Sequence, residues 1–142
     1  MEPVMRHSRE HKLETHARIV KKASVRLREK GAHGIGVADL MKDAGLTHGG
    51  FYAHFDSRTQ LLAEAVERAG AKSMEAMRKV AERAAPEQAL QAFVDAYLSD
   101  AHVDAPESGC TLATLGTETP RQAPEIRQGS SRRMKDMVDL VA

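Results

Sequence analysis

Disulfides, tryptophan and long apolar runs are what this chain lacks. Its one cysteine, Cys110, excludes an intramolecular disulfide, and a lone thiol fits a reducing compartment. With no tryptophan and only 4% aromatics, any core must be filled by Ala, Leu, Val and Met. Those residues suit packed helices better than a sheet, which favours β-branched and aromatic side chains. No segment approaches the roughly 18 consecutive apolar residues of a membrane span. The N-terminal stretch MEPVMRHSREHKLETH has no apolar run of signal-peptide length, so a cytoplasmic protein is expected. Period-two hydrophobic alternation, internal repeats and low-complexity tracts are absent from the sequence. No nucleophile–base pair, phosphate loop or metal triad stands out, so neither an enzyme nor a cofactor is expected.

What is present is a globular composition, 42% hydrophobic and 29% charged, over 142 residues. That length allows one core, or a small module joined to a second packed unit. The net charge of +1 hides an asymmetry. Residues 1–60 hold 11 Lys and Arg against 7 Asp and Glu, a net of +4, whereas residues 61–142 hold 10 against 13, a net of −3. A basic first part on an acidic second part fits a DNA-facing module on a body that does not bind DNA; a solvated surface of uneven charge is the blander reading.

Hydrophobic periodicity predicts an all-α chain. Residues 1–12 read as a loose arm or a frayed helix start. A helix follows over about 14–30, with Ile19, Ala23 and Leu27 at i, i+4, i+8 and Gly31 after it. Residues 31–36 form a loop. Val37, Leu40, Met41 and Ala44 mark a short amphipathic helix that ends at Gly45. Asp56 or Ser57 caps a long helix reaching about Ala84, in which Gly70 allows a bend. Beyond Pro86, Leu90, Phe93, Val94, Tyr97 and Leu98 give another helix. Residues 102–108 read as a loop, 109–118 as a short buried helix, and a last helix starts near Glu125. Its stripe, Met134, Met137, Val138 and Val141, is still running at Ala142. That stripe is expected to meet another chain, or to continue in a longer protein.

The densest information lies in residues 45–61, GLTHGGFYAHFDSRTQL. An amphipathic helix ends in Ala44-Gly45, Thr47 caps a very short second helix ending near Phe55, and a capped third helix follows. That is the layout of a helix-turn-helix. Phe51 and Phe55, at i and i+4, are expected in the core with Leu40, Ala44 and Leu46.

This run resembles the signature of the TetR family of bacterial transcriptional regulators. The family's Tyr-x-His-Phe element corresponds to Tyr52-Ala53-His54-Phe55, followed by a basic residue, Arg58, and by Leu61. Upstream, an Ile and an Ala of the first helix, Gly31, Val37, Leu40, Ala44 and Gly45 agree too, so the resemblance covers roughly residues 17–65. The stretch from Gly109-Cys110 through Leu112, Leu115, Gly116, Glu118 and Pro120 to Arg121 resembles one large branch of the family more weakly. The resemblance implies three N-terminal helices that bind DNA, a fourth that links to a ligand-binding and dimerising body, and an effector that releases the DNA. Two departures stand out. Gly36 occupies a position where many relatives place a Ser or Thr that caps the helix and bonds a phosphate. Family members are also usually longer, with two last helices that build a dimer interface.

The expected organisation is therefore a helix-turn-helix domain over 12–60 and a helical ligand-binding and dimerising domain over 61–142. The expected DNA-binding residues are Thr47, His48, Gly49, Gly50, Tyr52, His54 and Arg58. Thr47 and His48 stand at the start of the recognition helix, where side chains reach base edges. Gly49 and Gly50 cost about 1 kcal/mol each against Ala in a helix interior, which suggests close approach to the groove; a weak helix held by flanking packing is the alternative. Tyr52, His54 and Arg58 match the family's phosphate contacts, which position the protein and carry no sequence information; for Tyr52 the alternative is a buried aromatic. His7 and His11, at i and i+4, read as part of a solvated basic arm rather than a metal clip. Cys110, in an apolar segment, reads as a buried inert thiol rather than a sensor. Arg121, Arg127, Arg132 and Arg133 read as exposed faces. The implied partners are a palindromic DNA operator, a small-molecule effector and a second copy of the chain. The competing reading is a helical interaction module without specific DNA binding.

Overall fold

Seven α-helices and five short 3₁₀ segments make up the chain in a computed structural model that describes residues 2–142, with side chains from residue 5 onward. No strand occurs among the described residues. Helix α1 spans Glu2–Lys30. Of the two readings of the N-terminal stretch, a loose arm or a helix start, the helix holds from Glu2, and it has a local cause. Residues 6–15 are mostly good helix formers, Arg6 pairs with Glu10 at i+4 (3.5 Å), and the Thr15 hydroxyl folds back onto the His11 carbonyl (2.9 Å). Gly31 ends α1 in a backbone conformation that only glycine adopts readily, φ 76° and ψ 174°, while its N–H closes the last turn on the Leu27 carbonyl.

After a 3₁₀ turn at Ala32–Gly34, α2 runs over Val37–Asp43. It stops as Gly45 takes φ 76°, with Gly45 N–H on the Lys42 carbonyl (2.9 Å) and Leu46 N–H on the Met41 carbonyl (2.8 Å). That pair of bonds is a Schellman stop, satisfying carbonyls that the helix end would otherwise leave open. The next element, His48–Ala53, is a 3₁₀ helix rather than the expected α-helical turn. Two consecutive glycines in a six-residue segment hold too little α propensity to keep the wider helix.

Helix α3, Arg58–Arg83, begins on the expected cap. Ser57 Oγ accepts the Gln60 N–H (3.1 Å), and Gln60 Oε1 reaches back to the Asp56 N–H (2.7 Å), a capping box displaced by one residue. Buried Leu61, Leu62, Ala65 and Val66 carry α3 into a core shared with Ile19, Ala23 and Leu27 of α1, Leu40 and Met41 of α2, and Phe51 and Phe55. The expected division at residues 60 and 61 falls at the start of this helix.

Beyond α3, α4 (Ala89–Tyr97) and α5 (Asp100–Asp104) follow. The loop expected at 102–108 is therefore helical at its start, because Ser99 Oγ caps α5 by accepting the His102 N–H (3.3 Å). His102 then ties the corner together. Its Nδ1 donates to the Tyr97 carbonyl (2.6 Å) and its Nε2 accepts the Cys110 N–H (3.0 Å), which fixes the ring's tautomer. Helix α6 (Thr111–Leu115) is short and inserts Leu115 into the shared core; Cys110, just before it, is buried as expected.

Helix α7, Pro124–Val141, adds Ile126 to that core and lies along α3. Gly70 and Gly129 make the contact close: a Cβ at Gly70 would press on the stem of Arg133, and one at Gly129 on the Glu67 carboxylate. Gly70 thus serves the crossing, and α3 continues through it. Glu67 sits between Arg132 and Arg133, 2.7 Å from each. Its own burial pushes its carboxyl up, but the hydrogen bonds and charges of the two arginines outweigh that and hold it below its ordinary value. No helix among the described residues is long and apolar enough to cross a membrane.

Candidate nucleic-acid interface

The core below residues 47–54 fixes what faces outward. Phe51 and Phe55, each 1% exposed, stack at 5.4 Å and anchor the 3₁₀ helix from beneath. The intervening positions must then point away. Thr47, His48, Gly49 and Tyr52 are exposed, and Gly50 is half-buried. Tyr52 is 74% exposed, with its ring set edge-on to Phe51 (5.3 Å), which rules out the buried-aromatic reading.

Thr47 takes extended backbone at the N-cap, but its hydroxyl makes no capping hydrogen bond. The turn closes instead through the Gly50 N–H on the Thr47 carbonyl (3.2 Å). The Thr47 hydroxyl is thereby left for an external partner. A Cβ at Gly49 would meet nothing within 4 Å, and one at Gly50 would make only ordinary contacts with Thr47 and Met41. Neither glycine has positive φ. Internal packing therefore places no steric demand for glycine at 49 or 50.

His54 is half-buried, and its Nδ1 is enclosed without a hydrogen-bond partner. Burial, then the neighbouring His16 and Lys12, lowers its pKa below the ordinary 6.5. The ring of His16 lies 6.3 Å from that of His54 and 4.3 Å from that of Phe55. On its other side, His16 Nε2 bonds both carboxylate oxygens of Glu64 (3.0 and 3.1 Å), tying α1 to α3 beneath the interface. Across the turn, Arg26 of α1 pairs with Asp43 of α2.

Arg58, expected on a phosphate, has a second role. Its Nη2 donates to the carbonyls of Ala32 and Ile35, the latter at 3.4 Å, so it binds the start of α3 to the loop between α1 and α2. Arg58 as a whole is exposed. At the N-cap of α2, Gly36 takes extended backbone, φ −89° and ψ 128°, and supplies no side-chain cap.

Three residues that hold this surface carried no local signal. His16 and Glu64 are 48 residues apart, and Glu118 accepts the Ala32 N–H (2.9 Å) across 86 residues. Of these, Glu118 stands within the stretch whose resemblance was weaker. No group of three or more His, Cys, Asp or Glu side chains suited to a metal ion occurs among the described residues.

Residues 19–65 match the model of the bacterial regulatory proteins of the tetR family. The chain is 32% identical over 121 residues to uncharacterized HTH-type transcriptional regulators of Mycobacterium tuberculosis strains CDC 1551 and H37Rv, across 80% of this chain and 61% of each relative. It therefore spans about three-fifths of the length of these curated relatives. Its fold is similar to that of a TetR-family transcriptional regulator from Agrobacterium tumefaciens (TM-score 0.77, 17% identity, 90% of this chain and 67% of that one). It is also similar to that of the reduced form of E. coli NemR (TM-score 0.68, 18% identity, 89% and 67%).

Proposed function

Because this chain belongs to the TetR family of regulatory proteins, we propose that it is a sequence-specific DNA-binding regulator of transcription. The observation that carries this reading is the surface at 47–52. Thr47, His48 and Tyr52 project from a 3₁₀ helix clamped to a closed core, and Gly49 leaves open space where a side chain would block close approach. Thr47 and His48 are assigned to base edges. Tyr52, His54 and the free edge of Arg58 are assigned to phosphates, where they set register without reading sequence.

The family supports the finer reading as well. The protein acts in the cytoplasm as a repressor, and a small molecule bound in the helical body releases it from DNA. Two copies place their recognition elements about 34–36 Å apart on a palindromic operator. Exposed Leu90 on α4 and Leu98 at its C-cap, and Met134 and Val138 on α7, offer apolar surface for such an assembly. The family match does not favour an interaction module without specific DNA binding.

Selection of bound duplexes from a random-sequence pool, at low and moderate salt, tests the proposal. Enrichment of a palindrome is expected. Binding without enrichment that disappears as salt rises leaves only electrostatic attraction and overturns it. On the selected site, Tyr52→Phe weakens all sequences alike, and His48→Ala alters the preferred sequence.

A further inference from the structure

Arg58 and Glu118 grip the same residue, Ala32, one by its carbonyl and the other by its N–H, which belong to successive peptide units. Glu118 lies just after α6, in the body, and its Oε2 accepts the Ala32 N–H at 2.9 Å. Arg58, at the first position of α3, donates to the Ala32 carbonyl and to that of Ile35. The backbone of the turn at 31–35 is thus the middle link between the Glu118 carboxylate and the Arg58 guanidinium, running from the body to the proposed DNA-facing surface. The link is built for this contact. Gly31 has a conformation open to glycine, and a Cβ there would overlap the Glu118 carboxylate. Beside this link, Leu27, Leu62, Leu115 and Ile126 line an apolar crevice that also takes in Ala32 and Glu118. Movement of α6 against this crevice must therefore carry Glu118 with it.

We propose that Glu118 is a positioning residue for the DNA-reading unit: by fixing the backbone at Ala32 it fixes where Arg58 sits, so the placement of the 116–121 segment sets the strength of phosphate contact. The proposal deepens the DNA-binding reading and rests on it for its consequence, but not for its geometry.

Two measurements on the full chain keep the two apart. The first needs no DNA. In Glu118→Ala, exchange of the Ala32 amide quickens by about tenfold or more, and the Arg58 side-chain N–H signal shifts in NMR spectra; Glu118→Gln, which keeps an acceptor oxygen, restores both. An Arg58 signal unmoved in Glu118→Ala overturns the proposal, whether or not the protein binds DNA. The second uses the selected operator. Glu118→Ala weakens binding about tenfold with little change in melting temperature, Glu118→Gln recovers most of it, and Arg58→Ala adds little on top because both act through Ala32. Fully additive losses, or an affinity that ignores Glu118, also overturn it. If no operator emerges from the selection, the functional reading falls while the NMR result still decides the positioning role.

Discussion

Phe51 and Phe55 are each 1% exposed, whereas Leu90 of α4 and Leu98 at its C-cap are 59% and 72% exposed, although both pairs stand at helical spacing. The first pair lies where α1, α2, α3 and the 3₁₀ helix converge. The second lies on a helix with no buried residue at all. Periodicity thus identifies which side chains share a face, and only the neighbouring elements determine whether that face is covered. The N-terminal unit turns a polar and glycine-rich surface outward, and Leu115 and Ile126 complete the core beneath it. The outer faces of α4 and α7 are apolar surface exposed to solvent in the single chain.

The comparison breaks most easily on stability. Phe51→Ala is expected to cost about 3–5 kcal/mol in denaturant unfolding, because it empties a packed site, while Leu98→Ala costs about 0.5 kcal/mol or less. A comparable loss at Leu98, rising with protein concentration, means that a second copy covers α4 in solution.

Gly49→Ala sharpens the contrast between folding and reading. With open space at the Cβ and no positive φ, the alanine stabilises the protein by roughly 0.5–1 kcal/mol. Its methyl group stands in the way of the groove, so affinity for the selected operator falls by about tenfold, on the scale of one mismatched base pair. Unchanged affinity in a titration moves the reading surface away from this helix.

A smaller effect tests how the body is attached. Glu67→Ala removes the carboxylate between Arg132 and Arg133 and costs about 0.5–1 kcal/mol, since the site is a third exposed and screened by solvent. The arginines hold the folded-state pKa below the unfolded 4.5. The stabilisation is therefore present above about pH 4.5 and is lost as pH falls through the lower folded value. Acid titration of melting temperature should show that loss in the parent and not in the variant.

The smallest expected signal has opposite signs in the two assays. His54 is depressed in the folded chain, so the unfolded state takes up a proton more readily, and stability declines as pH falls below about 6.5. A phosphate beside the same ring raises its pKa, so affinity for DNA rises over that window. His54→Gln flattens both slopes, as melting curves and binding titrations across pH 5–8 would show.

Much of the reading unit was legible locally. Gly45 announced a helix stop and takes positive φ, Asp56-Ser57 announced a cap that Ser57 supplies, and Phe51 and Phe55 were placed in the core by spacing alone. The outward set at 47–52 followed as the complement of that core. Some local features were missed because their signals were weak. The cap at Ser99 is a single hydroxyl, and the first turns of α1 depend on exposed pairs worth a few tenths of a kcal/mol. The rest was beyond any local pattern. Gly70 reads as a break until α7 is laid across it, and Arg58 reads as a free cation until the Ala32 and Ile35 carbonyls are brought beneath it.

Leu115 and Ile126 belong to the same buried cluster as Ile19 and Phe51, and this orders events during synthesis. The ribosome releases everything through Val66 long before those two side chains. At about 5–20 residues per second, the 60-residue interval from Val66 to Ile126 lasts roughly 3–12 s. Over that time the newborn reading head carries an open apolar flank. A graft that transplants only the first 65 residues onto another body makes that transient gap permanent, so a working chimera has to bring α6 and the first turn of α7 with it.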